Sequence, residues 1–230
     1  MKINEFLVKS MSISHKEAVS LIRNTKIFVN TKPAAQKQLI SFQDQIVFEE
    51  KILQNAGAFF YYAYYKPYGI ECTMNENIPD NLPQAVAIPK PFFPIGRLDK
   101  NSEGLLILTN DGNTYEKVAN ASKFKEKEYI VTVDKELSEE VIQKLATGIT
   151  IMGKKTRPAE VKKITDSVFT IILTQGLNRQ IRRMCYKLGY NVLSLKRIRI
   201  MTIELGNLKP GEFFQFKKEM LFADQPKSIS

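Results

Sequence analysis

The sequence predicts an α+β chain, a small N-terminal unit followed by a larger one built on a mixed, mainly antiparallel sheet flanked by helices. Three observations lead there. From Phe59 onward strand-like runs outnumber helical ones, and few of the intervals fit a strand–helix–strand crossover. A polar break, Gln54-Asn55-Ala56-Gly57-Ala58, separates residues 1–53 from residues 59–222. Finally, 230 residues with 43% hydrophobic and 25% charged side chains suffice for one medium domain with a proper core and one small one.

The first unit opens with Ile3, Phe6, Leu7 and Met11 on one face of a short helix. Ser14 caps a second helix, HKEAVSLIRN; Glu17 completes a capping box, and Ala18, Leu21 and Ile22 face inward. A strand at residues 27–29, a turn at 30–33 and a strand at 45–49 finish the unit. Lys9, His15, Lys16, Arg23 and Lys26 lie on or beside the helix pair. The order helix, Ser-x-x-Glu-Ala, x-x-Leu-Ile, Ile-x-Val-Asn resembles the alpha-L RNA-binding module. It departs from that module at His15-Lys16, where an arginine pair is commoner. The resemblance implies RNA contacts through Lys9, His15, Lys16 and Arg23.

In the second unit the aromatic run FFYYAYY reads as a packed strand that ends at a Lys66-Pro67-Tyr68-Gly69 turn. Residues 73–93, rich in Pro and Asn without a clear period, read as a surface loop. The stretch from Pro94 to Gly112, PIGRLDKNSEGLLILTNDG, then reads as loop, buried strand and hairpin turn. Asp99 sits between Arg97 and Lys100, an electrostatic support suited to a nucleophile, a base or a stabiliser of positive charge.

A helix is expected at residues 114–121, a strand at 127–133 and a helix capped by Ser138. Strands follow at 149–152, 159–164, 168–173, 192–203 and 213–216, and the polar tail 223–230 is expected to be disordered. Between Asn178 and Arg199 lie Arg179, Arg182, Arg183, Lys187, Lys196, Arg197 and Arg199 and no acid, for which phosphate is the natural partner. Asn178 is the expected N-cap of a helix there, Ile181, Met184, Cys185 and Leu188 its apolar face, and Gly189 its stop.

Composition narrows the chemistry. With His15 as the single histidine, a Ser-His-Asp triad, a zinc hydrolase or a His-based nuclease is disfavoured. Cys72 and Cys185 are far apart, lack metal spacing, and read as reduced cytosolic thiols. No run is long enough to span a bilayer, and Glu5 comes too early for a signal peptide. The net charge of +10 favours a polyanion, with nucleic acid ahead of a membrane.

Three stretches, GRLDKNSEGLLILTNDG, KEYIVTV and QGLNRQIRRM, occur together with Lys66-Pro-x-Gly. In order and spacing they resemble the RsuA/RluB/RluE/RluF group of ribosomal RNA pseudouridine synthases over essentially the whole chain. QGLNRQIRRMC-x-x-x-GY and RIRIM look most like the RluF branch, which implies a uridine of large-subunit ribosomal RNA as target. The resemblance implies the pseudouridine synthase fold and isomerisation of uridine without cofactor or metal. It makes Asp99 the nucleophile and Tyr129 the residue that packs on the base and a candidate for proton transfer at C5. Arg182 is its partner for Asp99, with Arg179 and Arg183 left as alternatives, and Arg97 displaces the base or holds its phosphate.

Lys66, Lys100, Arg179, Arg183, Lys187 and Arg197 complete the expected RNA contacts. Breaking a glycosidic bond needs a carboxylate near C1′, and a uridine inside folded RNA must first leave its stack. The expected partner is ribosomal RNA, naked or in a precursor particle, met in the cytoplasm by a monomer. Tyr65 departs from the group, where Asn before Lys-Pro is common. The competing reading is a non-catalytic RNA-binding or ribosome-assembly factor on the same fold.

Overall fold

In a computed structural model, which describes residues 1–54, 56–88, 91–119 and 125–223, the chain divides into two units, Met1–Phe59 and Phe60–Ser230. The first holds α1 (Ile3–Met11), α2 (His15–Arg23), β1 (Ile27–Val29), β2 (Lys32–Pro33), β3 (Ile46–Phe48) and β4 (Lys51–Gln54). Its antiparallel sheet runs β2-β1-β3-β4. Ser14 Oγ accepts from Glu17 N at 3.3 Å while Glu17 Oε2 accepts from Ser14 N at 2.8 Å, the reciprocal box that starts α2. Ile3, Leu7, Ala18, Ile22, Ile27 and Ile46 form the core. Strand β4 was not expected from sequence, because the turn before it is made by Glu49 and Glu50 at φ 51 and 74 rather than by Gly or Asn.

The second unit contains β5 (Tyr61–Lys66), α3 (Leu82–Ala85), β6 (Phe93–Ile95), β7 (Glu103–Thr109), α4 (Gly112–Ala119), β8 (Lys127–Val133), α5 (Glu139–Thr147), β9 (Thr150–Ile151) and β10 (Lys154–Lys155). It continues with β11 (Glu160–Thr165), β12 (Val168–Leu173), α6 (Gln180–Lys187), β13 (Val192–Ile200), β14 (Ile203–Glu204), β15 (Phe213–Gln215) and α7 (Lys218–Leu221). Strands pair in the order β11-β12-β8-β13-β7-β5-β15, with β14 added to β13 and β6 to β7. Among the described residues every strand pairing of this sheet is antiparallel except β7 with β13. The sheet is therefore mixed and mainly antiparallel, as the strand-rich pattern with few crossovers requires. Helices α5 and α6 bury Ile142, Leu145, Ile181 and Met184 against Val131, Phe169, Ile171 and Leu195 of the sheet. No helix among the described residues is long and apolar enough to cross a membrane.

Two local expectations change. Residues 73–93 are not a simple surface loop: Leu82, Val86, Ile88 and Phe92 are buried against Tyr64, Leu106 and Leu108, and Asn81, itself buried, caps α3. The hairpin lies before β7 rather than after it, since β6 pairs with β7 and residues 96–102 connect them. After β7 the chain enters α4, because Asp111 acts as a cap, accepting from Thr114 N at 3.2 Å and from Thr114 Oγ1 at 2.7 Å. The expected end of that helix at Ala121, and all of the expected tail beyond Ala223, fall outside the described residues.

Candidate active site

The site is built around the connection between β6 and β7, residues 96–102, which carries Asp99. Its geometry starts at a glycine. At the parallel contact Arg197 lies opposite Gly104, whose φ is +103°; a Cβ there would sit 2.3 Å from the Arg197 carbonyl oxygen. This close approach lets the buried Arg197 guanidinium span the connection. Its Nε donates to Leu105 O at 2.7 Å and its Nη2 to Gly96 O at 3.2 Å.

Arg182, from α6, fixes the middle of the same segment. Its Nη2 donates to Asn101 O at 2.5 Å and Ser102 Oγ at 3.4 Å, and its Nη1 to Val192 O at 3.0 Å. Ser102 N donates to Asp99 O at 3.0 Å and closes the turn. Lys66 is buried; its Nζ donates to Pro67 O at 2.8 Å and Ile70 O at 2.7 Å. The turn it orders docks on the Asp99 segment through Gly69 N and Lys100 O at 2.9 Å.

Asp99 opens into a cleft of about 650 Å³, walled by Tyr129 and Lys127 of β8 and by Arg179 at the start of α6. Arg179 Nη1 lies 3.8 Å from Asp99 Oδ2, and the two side chains are 46% and 30% exposed, so a substrate can reach the pair. Arg179 holds a left-handed φ of 51° immediately before α6, an uncommon backbone for a residue with a side chain. Asn178 is not the N-cap. Its Oδ1 and carbonyl oxygen accept from Arg183 Nη2 at 3.2 Å and Nε at 3.0 Å, so they are engaged by a side chain of the first turn, and the N-cap position falls to Arg179. Among the described residues no group of His, Cys, Asp and Glu is arranged to hold a metal ion.

The RNA pseudouridylate synthase family matches residues 60–187. A dual-specificity RNA pseudouridine synthase RluF of Salmonella typhi is 39% identical over 92% of this chain and 74% of its own length. The chain belongs to the RNA pseudouridylate synthase family. The ribosomal small subunit pseudouridine synthase A of Haemophilus influenzae is 27% identical over 93% of this chain and 94% of its own. A crystal structure of a pseudouridylate synthase superposes with a TM-score of 0.69 at 26% identity, covering 96% of this chain and 98% of that one. The larger unit is thus a pseudouridine synthase fold, and the chain is an RNA-modifying isomerase of the RluF-like kind.

For a pseudouridine synthase the cleft gathers Asp99, Tyr129, Arg97, Lys100 and Arg179 of the residues singled out in the sequence. Among the described residues Arg182 forms no ion pair with Asp99, although the carboxylate acts on it through space; its guanidinium donates to backbone oxygens of the segment and of β13. Lys66 and Arg197, expected as RNA contacts, are turned inward, although Arg197 also lines the cleft. Both are buried and bonded to carbonyls, and burial pushes the Lys66 ammonium down to about 8.

The seven-cation run is also less open than its sequence implies, since Arg199 pairs with Glu126 and Glu128 at 3.0 and 2.8 Å and Lys196 lies 3.8 Å from Glu103. Arg183 and Lys187 are exposed on α6, Arg97 is 73% exposed, and Lys100 meets Asp80 at 3.2 Å. Lys9, His15, Lys16 and Arg23 are exposed in the first unit.

Lys127 was missed. It lies two residues before Tyr129, hence on the same face of β8, and lines the cleft. Burial and then the Arg197 guanidinium push its ammonium down to about 8. The signal was present in Lys-Glu-Tyr, whose alternation sends the first and third side chains the same way.

Proposed function

We propose that the chain converts a uridine of large-subunit ribosomal RNA into pseudouridine, with Asp99 as nucleophile and the target base turned out of its stack into the cleft. The observation that carries this reading is the Asp99 carboxylate held at the cleft mouth beside Arg179, with the Tyr129 ring in the wall. A cleft of about 650 Å³ lies within the size range of small-ligand sites and has room for one nucleoside.

With the sugar over Asp99, the carboxylate acts at the glycosidic bond, as carboxylates do in retaining glycosidases. The N1–C1′ bond breaks, the uracil turns within the cleft, and a C5–C1′ bond forms. C5 then loses its proton and N1 gains one, so the product is an isomer and nothing is consumed. Tyr129 packs on the base and takes the C5 proton. Arg179 orients Asp99 in the free enzyme. Arg97 and Lys100 at the cleft, with Arg183 and Lys187 on α6, hold phosphates.

The first unit is read as an alpha-L RNA-binding domain that adds affinity through Lys9, His15, Lys16 and Arg23. The large-subunit target is supported by the RluF-like stretches QGLNRQIRRMC and RIRIM.

The test is carbodiimide mapping of pseudouridine in large-subunit ribosomal RNA, naked and in immature particles, after incubation with the protein. One new modified uridine is expected. Modification confined to small-subunit RNA would overturn the choice of target.

A further inference from the structure

A second groove, of about 580 Å³, runs between α6 and the β9–β10 turn. Among the described residues no carboxylate lines it. Arg183, Tyr186 and Lys187, at helical spacings of three and four, present one face of α6 to it, and Met152 closes it from the turn. Tyr186 is 75% exposed and Met152 63%, both large side chains with no part in the core. Among the described residues neither Arg183 nor Lys187 forms an ion pair, whereas Arg199 and Lys196 of the same basic run do. Arg179 lines both this groove and the Asp99 cleft, so the two adjoin at that side chain.

A flat exposed ring with cations on the same helix face matches the repeat of a single-stranded nucleic acid, a base to stack and a phosphate to neutralise. We propose that the groove binds the single-stranded RNA next to the flipped uridine, with one base stacked on Tyr186 and its phosphates on Arg183 and Lys187. Arg179 marks the junction, where the chain leaves the cleft. The proposal rests on the RNA reading of that cleft and adds to it a place for the flanking nucleotides. It gives the protein a preference for a target set in an accessible strand over one whose neighbours are paired.

The test uses two RNAs with the same target uridine, one extending several unpaired nucleotides to either side and one trimmed beside it. Both affinity, by fluorescence anisotropy, and pseudouridine formation are measured with the full-length protein. Wild type is expected to favour the longer RNA by about tenfold or more, the scale of one base stacked on an aromatic ring. Tyr186→Ala is expected to reduce that ratio to near one, and Tyr186→Phe, which keeps the ring, to retain it. An unchanged ratio in Tyr186→Ala, or an equal loss on both RNAs, overturns the groove. Absence of turnover by wild type would instead overturn the catalytic reading, while the affinity ratio still decides the groove.

Discussion

Three arginines of one basic run do three different things. Arg197 is buried and spans the Asp99 segment from below, Arg182 grips the same segment from α6, and Arg179 is left to meet the carboxylate. Arg182→Ala is therefore expected to cost about 2–3 kcal/mol in urea denaturation, since three oxygens lose their donor. Arg179→Gln is expected to lower kcat about a hundredfold while moving stability by no more than about 0.5 kcal/mol.

Two lysines, Lys66 in the interior and the half-buried Lys127, set a second expectation. Lys66 and Lys127 each have a folded value of about 8, below the ordinary lysine value of 10.5. Below pH 8 both states carry the protons and the folded state bears the full cost of the buried charge. Between pH 8 and about 10 the folded state releases protons that the unfolded chain keeps, so stability rises with pH. Lys66 is expected to contribute on the order of 2–3 kcal/mol across that window and the half-buried Lys127 less, offset in part by the Cys72 and Cys185 thiols, which burial pushes up. The Lys66 share is read as the difference between wild type and Lys66→Met in chemical denaturation. The motifs singled out Asp99 and Tyr129, and the fold brings both to one cleft. The division of labour among the arginines was not legible, because Arg182 meets Asn101, 81 residues away, and no local pattern encodes that contact.

At the level of elements, Gly104 is the hinge of the design. It sits where β7 and β13 run parallel, and the bond of Arg197 to Leu105 depends on that approach. Gly104→Ala meets both a backbone oxygen and a left-handed φ, and is expected to destabilise by about 3 kcal/mol or more, read as a lowered Tm. Turnover at temperatures where the variant is folded should fall as well, because the Asp99 segment loses its anchor. Strands β1, β8 and β12 were read from sequence with the ends observed, and the apolar face of α1 from its helical spacing. Residues 73–93 were misread for a physical reason. Leu82, Val86, Ile88 and Phe92 reach a core one by one, between prolines and asparagines, so neither the helical nor the strand period is set up. Asp111 misled likewise, since an Asn-Asp-Gly turn signature and a helix cap use the same side chain.

For the whole molecule, the central matter is how the positive charge is divided. Part of it is internal, held on carbonyls or carboxylates, and the remainder lies exposed on α6, near the cleft and on the first unit. The first unit has a core of its own, as does the second. Removing residues 1–53 is accordingly expected to leave a folded enzyme whose RNA affinity falls about tenfold or more, with a shallower dependence on salt. Equal affinity with and without the segment would remove its RNA-binding role.

The claim on which the account stands is that Asp99 drives base detachment and reattachment. It is tested most directly with RNA labelled by tritium at C5 of uridine, because forming the C5–C1′ bond expels that hydrogen. Wild type is expected to release one equivalent per modified site, and Asp99→Asn none, with RNA still bound within a few-fold of wild-type affinity. Release at an undiminished rate by Asp99→Asn would contradict the account.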